Sequence, residues 1–191
     1  MIAPHERLAT GAAAAFAGRV QSVLPRLETD RLRLRPPRIE DFEAYAEIAL
    51  SPRGRYLTED QTRDAAWYDF CQMTATWVLR GQGLWTVEDR DAGQCLGFVL
   101  LGFEPGDNEP ELGYLFLPAA EGQGYAREAA EAARRYGFTV LDLPTLVSTI
   151  DPTNTRSRRL AERMGAVRDP KAESAYDGAI LVYRHPKPEA A

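Results

Sequence analysis

A chain of 191 residues and 21.2 kDa, 45% hydrophobic, is long enough to form one domain that buries roughly two-thirds of its unfolded surface without disulfide or metal staples. Its net charge of -5 and isoelectric point near 5.2 argue against the concentrated basic face that a nucleic-acid backbone demands, and no apolar run approaches the roughly 18 to 20 residues that span a bilayer. Cys71 and Cys95 sit in apolar segments without metal-ligand spacing, so they read as small buried thiols of a cytoplasmic protein, not as a disulfide or a nucleophile.

Residues 11–18 are alanine-rich, but Glu6 and Arg19 flank them and Phe16 is their one strong hydrophobe, which is not the pattern of a secretory signal. Leu8, Ala12, Phe16, Val20 and Leu24 recur every four residues and predict an amphipathic helix packed on the domain or on a partner. After Pro25, Leu32 and Leu34 alternate with arginines at a strand's period of two. Residues 39–50 then place Phe42, Tyr45, Ala46 and Ala49 at helical spacing, with Glu40 and Asp41 in the first turn. A second helix over 61–79 carries the stripe Ala66, Phe70, Met73 and Trp77, ordinary core packing.

Two β-rich runs, 83–89 and 94–103, flank the turn Asp89-Arg90-Asp91-Ala92-Gly93 and form a hairpin. A third, 109–117, follows, with Glu104, Asp107 and Glu109 read as a polar loop. A helix over 122–141 sets Ala126, Ala129, Ala130, Ala133, Gly137 and Val140 on one face, small enough to lie close to a sheet. A strand over 143–150, a helix over 154–164 stopped by Gly165, and a strand over 178–184 complete the order. The expected organisation is a helical extension over 1–26, one domain over 27–185 and a tail over 186–191.

The most informative stretch is Leu115-Phe116-Leu117-Pro118-Ala119-Ala120-Glu121-Gly122-Gln123-Gly124-Tyr125-Ala126-Arg127-Glu128. An apolar run ends at a proline, and a glycine turn opens a helix. Gly122 and Gly124 let a ligand approach the main chain, while the first helical N–H groups lack intrahelical acceptors and lie at the positive end of the dipole. A diphosphate suits both features, although Gly-x-Gly spacing alone favours a simple helix start.

Three segments together resemble the GNAT superfamily of acetyl-CoA-dependent N-acetyltransferases, and are similar to its ribosomal-protein-alanine N-acetyltransferase branch. They are Thr29-Asp30-Arg31-Leu32-Arg33-Leu34-Arg35, the run from Gly113-Tyr114 to Glu128, and Asp151-Pro152-Thr153-Asn154-Thr155-Arg156-Ser157 continuing to Gly165. The resemblance covers about residues 27–183. It implies an α+β (mixed α/β) GNAT fold: a central, mostly antiparallel twisted sheet of six to seven strands, flanked by about four helices plus the N-terminal one. It also implies acetyl-CoA as donor, no metal, and cofactor contacts from Leu115, Phe116, Leu117, Gly122, Gln123, Gly124, Tyr125, Ala126, Asn154 and Ser157. The family's Q/R-x-x-G-x-G/A falls on Glu121, Gly124 and Ala126. Glutamate departs from the usual first residue and, repelled by diphosphate, is expected to point to solvent. Asn154 and Ser157 match N-x-x-S near the thioester sulfur, although asparagine is also a preferred N-cap.

The chemistry implied is direct attack of a primary amine on acetyl-CoA in a ternary complex, the amine being a protein N-terminus or a small molecule. Glu111 is the general-base candidate, acting through water; strand alternation equally allows a solvated or salt-bridged carboxylate there. Tyr114 reads as pocket wall. Ala161 stands where many superfamily members carry a tyrosine acid, which leaves Ser157, water or another group to protonate the thiolate. His5 and His185, near the termini, suggest no nucleophile-base pair. The acceptor is expected against residues 51–61 and 169–177, which include Arg53, Arg55, Glu59, Asp60, Glu173 and Asp177. Expected partners are this amine and a second copy of the chain in a homodimer; nucleic acid and membrane are not expected. A catalytically silent acyl-CoA sensor or interaction domain is the alternative function.

Overall fold

Residues 3–57 and 60–188 are described in a computed structural model of the chain. Glu59, expected beside the acceptor, and the last three residues of the expected tail lie outside them. The elements are α1 (Gly11–Val23), β1 (Leu27–Glu28), β2 (Leu32–Arg35), α2 (Phe42–Ala49), α3 (Arg63–Arg80), β3 (Gly83–Asp89), β4 (Cys95–Gly102) and β5 (Glu111–Phe116). There follow α4 (Tyr125–Thr139), β6 (Val147–Ile150), α5 (Thr155–Arg163), β7 (Val167–Arg168), α6 (Pro170–Glu173) and β8 (Leu181–Arg184). The mixed α/β fold is thus as expected, with eight strands in one sheet instead of six to seven. The additions, β1 and β7, are two residues long, too short for an alternation to register.

The sheet runs β1-β2-β3-β4-β5-β6-β8-β7, antiparallel throughout except for parallel β5 and β6. Helices cover both faces of its centre, so β4 reads as an almost continuous apolar run. Val99 and Leu101 enter one core with Trp85, Leu112 and the alanines of α4, while Phe98 and Leu100 enter the other with α2 and α3. Gly137 shows how closely α4 lies on the sheet: a Cβ there would sit 3.3 Å from Leu101 and Leu143 side chains. Val140, expected on the same face, is 63% exposed, and Phe138 is buried in its place. The α3 stripe Ala66, Phe70, Met73 and Trp77 is buried throughout, with Thr62 accepting the Ala65 N–H at the N-cap. Cys71 and Cys95 are free and half-buried.

The arginines of β2 do not simply face water. Arg35 is buried, donating from Nη1 and Nη2 to Asp41 at 2.7 and 2.9 Å and from Nε to Glu88 at 2.6 Å. Asp41 also accepts from Thr86 at 2.8 Å and from the Arg38 N–H at 2.7 Å. A fully hydrogen-bonded ionic knot thus joins β2, β3 and the start of α2. At the N-terminus the helix forms, but no residue of α1 is buried and Phe16 is 61% exposed. The expected packing is made by its neighbours instead: Glu6 accepts from Arg63 of α3 at 2.8 and 3.0 Å, and Leu24 packs at the core margin.

The feature that creates a site is the β5–β6 junction. These strands share one backbone register pair, Glu111 with Val147, and beyond it no ladder joins them. β5 then leads through a single 3-10 turn to α4, and β6 leads to α5. A wedge opens between the carboxyl ends of two parallel strands, with a helix start on each side, which is where open α/β sheets place ligands.

Candidate active site

On the α4 side of the wedge, Gly122 and Gly124 take left-handed backbone angles, φ 75° and 82°, a region that side chains strain to enter. Gly124 is the N-cap of α4, and among the described residues no acceptor receives the N–H groups of Tyr125, Ala126 and Arg127. Arg31 holds this turn from outside. Its Nη1 donates to the Gln123 carbonyl at 3.0 Å and its Nε to Glu128 at 2.8 Å, and the guanidinium lies 4.7 Å from the Tyr125 ring centre. Thr29 Oγ1 donates to Glu128 at 2.6 Å. The segment 29–35 therefore braces the glycine turn, a role its alternating pattern gives no sign of.

The cleft beside the turn measures about 1060 Å³. Leu115, Phe116, Gly122, Gly124, Tyr125 and Ala126 line one side; Asn154 and Ser157 line the other. Leu117 and Gln123 do not line it. Leu117 packs into the α2–α3 core and donates its N–H to Leu96, and Gln123 turns its amide to the Ala119 carbonyl at 3.1 Å. Six arginines border the cleft, namely Arg53, Arg55, Arg127, Arg156, Arg159 and Arg163, against one carboxylate, Glu121. Glu121 is exposed, as expected, but it is not free. It lies between Arg53, at 2.5 Å, and Arg156, at 3.0 Å. Positive-φ glycines, unpaired helical N–H groups and an arginine border together fit a diphosphate-bearing ligand.

On the α5 side, Asn154 is an N-cap, its Oδ1 accepting the Ser157 N–H at 3.2 Å. The Ser157 carbonyl accepts from the Tyr114 hydroxyl at 3.0 Å. Asn154, Ser157 and Tyr114 line both this cleft and a second, smaller cavity of about 140 Å³ that continues from it. Tyr56, Leu57 and Leu115 line both as well, and these six residues form the partition between the two.

The second cavity is anionic. Asp69, Glu104, Glu111 and Asp151 line it, with no lysine, arginine or histidine. Glu111, 8% exposed, is neither solvated nor salt-bridged: it accepts from the Thr149 N–H at 3.1 Å and hydroxyl at 2.7 Å, across the apex of the wedge. Burial pushes its pKa up to about 8, against the opposing Thr149 bonds. Burial, with Asp69 and Asp107 nearby, raises Glu104 to about 7, and among the described residues its carboxyl group has no bonded partner. Burial also raises Asp69, which accepts from the Tyr45 hydroxyl at 2.6 Å. Glu104 is therefore part of the cavity, not of a solvated loop. Glu109 pairs with Arg184 at 2.6 and 2.8 Å. Of the expected acceptor segments, Tyr56 and Leu57 line both cavities, Arg53 and Arg55 line the larger cleft alone, and residues 169–177 line neither. There Glu173 pairs with Arg168 at 2.7 Å.

One pairing was not foreseen from sequence. His185 is buried with Nε2 2.9 Å from Ser148 Oγ, and Ser148 donates to the Leu112 carbonyl at 2.6 Å. Because the serine proton is committed to Leu112, Nε2–H is the donor to Oγ, and burial holds His185 neutral with a pKa down to about 4. The pair pins β8 and β6 to β5 where the ladder has stopped, and with Nε2 carrying its own proton it offers Ser148 no base. It is a structural clasp, not a nucleophile-base pair.

Comparison with known proteins agrees with this geometry. Residues 31–167 match the acetyltransferase (GNAT) domain. An uncharacterised N-acetyltransferase of Bacillus licheniformis, p20, is 30% identical over 169 residues, covering 82% of this chain and 92% of its own. The crystal structure of an acetyltransferase from Agrobacterium tumefaciens superposes with a TM-score of 0.81 at 39% identity, covering 86% of this chain and 95% of the other. The crystal structure of a GNAT-family acetyltransferase from Bacillus anthracis has the same fold, with a TM-score of 0.67 at 24% identity and coverages of 84% and 96%. With the family model matched over 31–167 and an acetyltransferase superposing at a TM-score of 0.81, this chain belongs to the GNAT family of acetyltransferases.

Proposed function

We propose that the protein transfers the acetyl group of acetyl-CoA to a primary amine that enters the smaller, acidic cavity cation-first. The observation that carries this reading is the pairing of two cavities across one partition: an arginine-bordered cleft at a glycine turn, and a smaller cavity lined by carboxyl groups behind Tyr114 and Ser157. When bound, acetyl-CoA supplies an acetyl group activated as a thioester. The turn at Gly122 and Gly124 and the N–H groups of Tyr125, Ala126 and Arg127 would hold its diphosphate, and the unladdered edge of β5 its amides.

The chain's own residues then have separate tasks. Asp69 and Glu104 attract a positively charged acceptor, because ionisation of these buried carboxyls is favoured by an incoming cation. Glu111, poised near neutrality, takes the ammonium proton and so releases a free amine. Tyr114, bonded to the Ser157 carbonyl, fixes the first turn of α5. Ser157 Oγ, on the partition and without a bonded partner among the described residues, holds the proton on the thiol side.

The test is turnover with a panel of amines, read by thiol release and by mass of the acceptor. The panel includes peptides with free Ala and Ser N-termini, diamines, and neutral aromatic amines. Acetylation of cationic amines ahead of neutral ones is the expected result. Acetyl-CoA binding without thiol release for any acceptor would instead mark a silent acyl-CoA sensor.

A further inference from the structure

The carboxylate that departs from the family's pyrophosphate signature has a partner arrangement of its own. Glu121 immediately precedes Gly122 and lies between two guanidinium groups from separate parts of the chain. Arg53 comes from the connection between α2 and α3, and its Nη2 donates to Glu121 Oε2 at 3.0 Å. Arg156 is the second residue of α5, and its Nη1 donates to both Glu121 oxygens at 3.0 Å. All three residues line the arginine-bordered cleft, and Glu121 is the one acidic side chain among the seven charged groups there.

We infer that Arg53 and Arg156 are phosphate-binding residues, and that Glu121 is their placeholder, occupying in the free chain the position of a phosphate group. The inference rests on the acetyl-CoA reading above. Three physical points carry it. A carboxylate and a phosphate oxygen pair present the same acceptor geometry to guanidinium, but phosphate carries more charge and more acceptor oxygens. The Arg156 and Glu121 side chains are 70% and 35% exposed, and ion pairs so exposed are weakly stabilising, so exchange is cheap. Unpaired, two guanidinium groups facing one cleft would repel each other and lose their direction. Glu121 keeps both aimed at the mouth until a more highly charged anion displaces it.

Glu121 therefore lowers cofactor affinity, and does so only through the two arginines. The experiment is calorimetric titration of the full chain with CoA, 3′-dephospho-CoA and pantetheine, which lacks phosphate, together with a thermal melt of each free variant to verify folding. Arg156→Ala and Arg53→Ala should each weaken CoA about tenfold, the scale of one charge-assisted hydrogen bond. Neither should change pantetheine binding. Loss confined to CoA locates the clasp on the 3′-phosphate, and equal loss for CoA and 3′-dephospho-CoA locates it on the diphosphate; either supports the inference. Glu121→Gln should tighten CoA roughly three- to tenfold in the otherwise unchanged chain, and have no effect in the Arg53→Ala/Arg156→Ala background.

Tightening of the same size in that background would make Glu121 a direct repeller of phosphate and overturn the placeholder role. Weaker CoA binding in Glu121→Gln would overturn it as well, and so would arginine variants that bind CoA unchanged or that lose pantetheine equally. Failure of the unsubstituted chain to bind CoA would overturn the acetyl-CoA reading itself, a result distinct from all of these.

Discussion

Glu111 has two duties that a single side chain can meet. Its Thr149 bonds close the apex of the wedge, and its burial without a cation places its pKa near the pH at which a base works. Activity toward ammonium acceptors should accordingly rise through about pH 8 as Glu111 ionises. Thr149→Val removes the hydroxyl that favours the ionised form, so the rising limb should move alkaline with acetyl-CoA binding unchanged. Glu111→Gln should cost roughly 100- to 10,000-fold at neutral pH; a pH-independent loss under about tenfold would leave Glu111 as a strand tie. At Arg35 the issue is stability. Arg35→Met leaves the buried Asp41 carboxylate without its cation, while Glu88 keeps Arg33 at 3.0 Å, and losing one partner of a buried ionic pair costs about 3 to 5 kcal/mol. Urea denaturation measures it, and a loss under about 1 kcal/mol would contradict the knot described above. Neither residue's environment was legible in sequence. Alternation placed Arg35 opposite Leu34, but it takes the register of β2 with β3 to bring Glu88 beside it, and only the divergence of β6 makes Glu111 a bridge.

Elements with clear boundaries were the most legible. The strand over 83–89 was read to the residue, because Gly81 ends α3 in a left-handed turn and the 89–93 turn ends β3. The α3 stripe was read because its spacings mix three and four. The packing expected of α1 failed for a related reason, although the helix itself forms. Steps of four alone advance by about 40° beyond a full turn each, so five positions drift roughly 160° around the helix and make no stripe. The glycine turn was legible as a phosphate cradle from composition, but not its brace, since Thr29 and Arg31 meet Glu128 only through the fold. Gly124→Val should test the cradle. At φ 82° a β-branched residue is strained by roughly 1 to 2 kcal/mol, although a Cβ there would sit an unremarkable 3.5 Å from Arg31. Cofactor affinity measured by thermal shift should fall sharply while the free protein melts within a few degrees of the parent. Undiminished protection by CoA would place the diphosphate elsewhere.

For the molecule as a whole, the anionic cavity makes stability pH-dependent with a definite sign. Glu111 near 8 and Glu104 near 7 bind protons more tightly folded than unfolded, so the stability they contribute is full below about pH 4.5 and is lost as pH rises through 7 to 8. His185, with its folded pKa near 4, has the opposite effect: its contribution is complete above about 6.5 and is lost as pH falls through 4. Above about pH 4.5 the two carboxyls outweigh the one histidine, so the melting temperature should decline from about pH 5 toward 8, with the decline shallower in Glu111→Gln. A melting temperature that climbs steadily from pH 6 to 8 would show that the cavity carboxyls are not held protonated. The β5–β6 junction has a mechanical counterpart. With one ladder pair between them, β1 to β5 and β6 to β8 are two zippers sharing a single tooth, and cooperative opening follows such seams. A ligand lying along the unpaired edge of β5 and reaching the α5 cap spans that seam. Amide hydrogen exchange in β6 and β8 should accordingly slow on CoA binding more than exchange in β3 and β4, with the enzyme acquiring, only while loaded, a sheet that opens as one body.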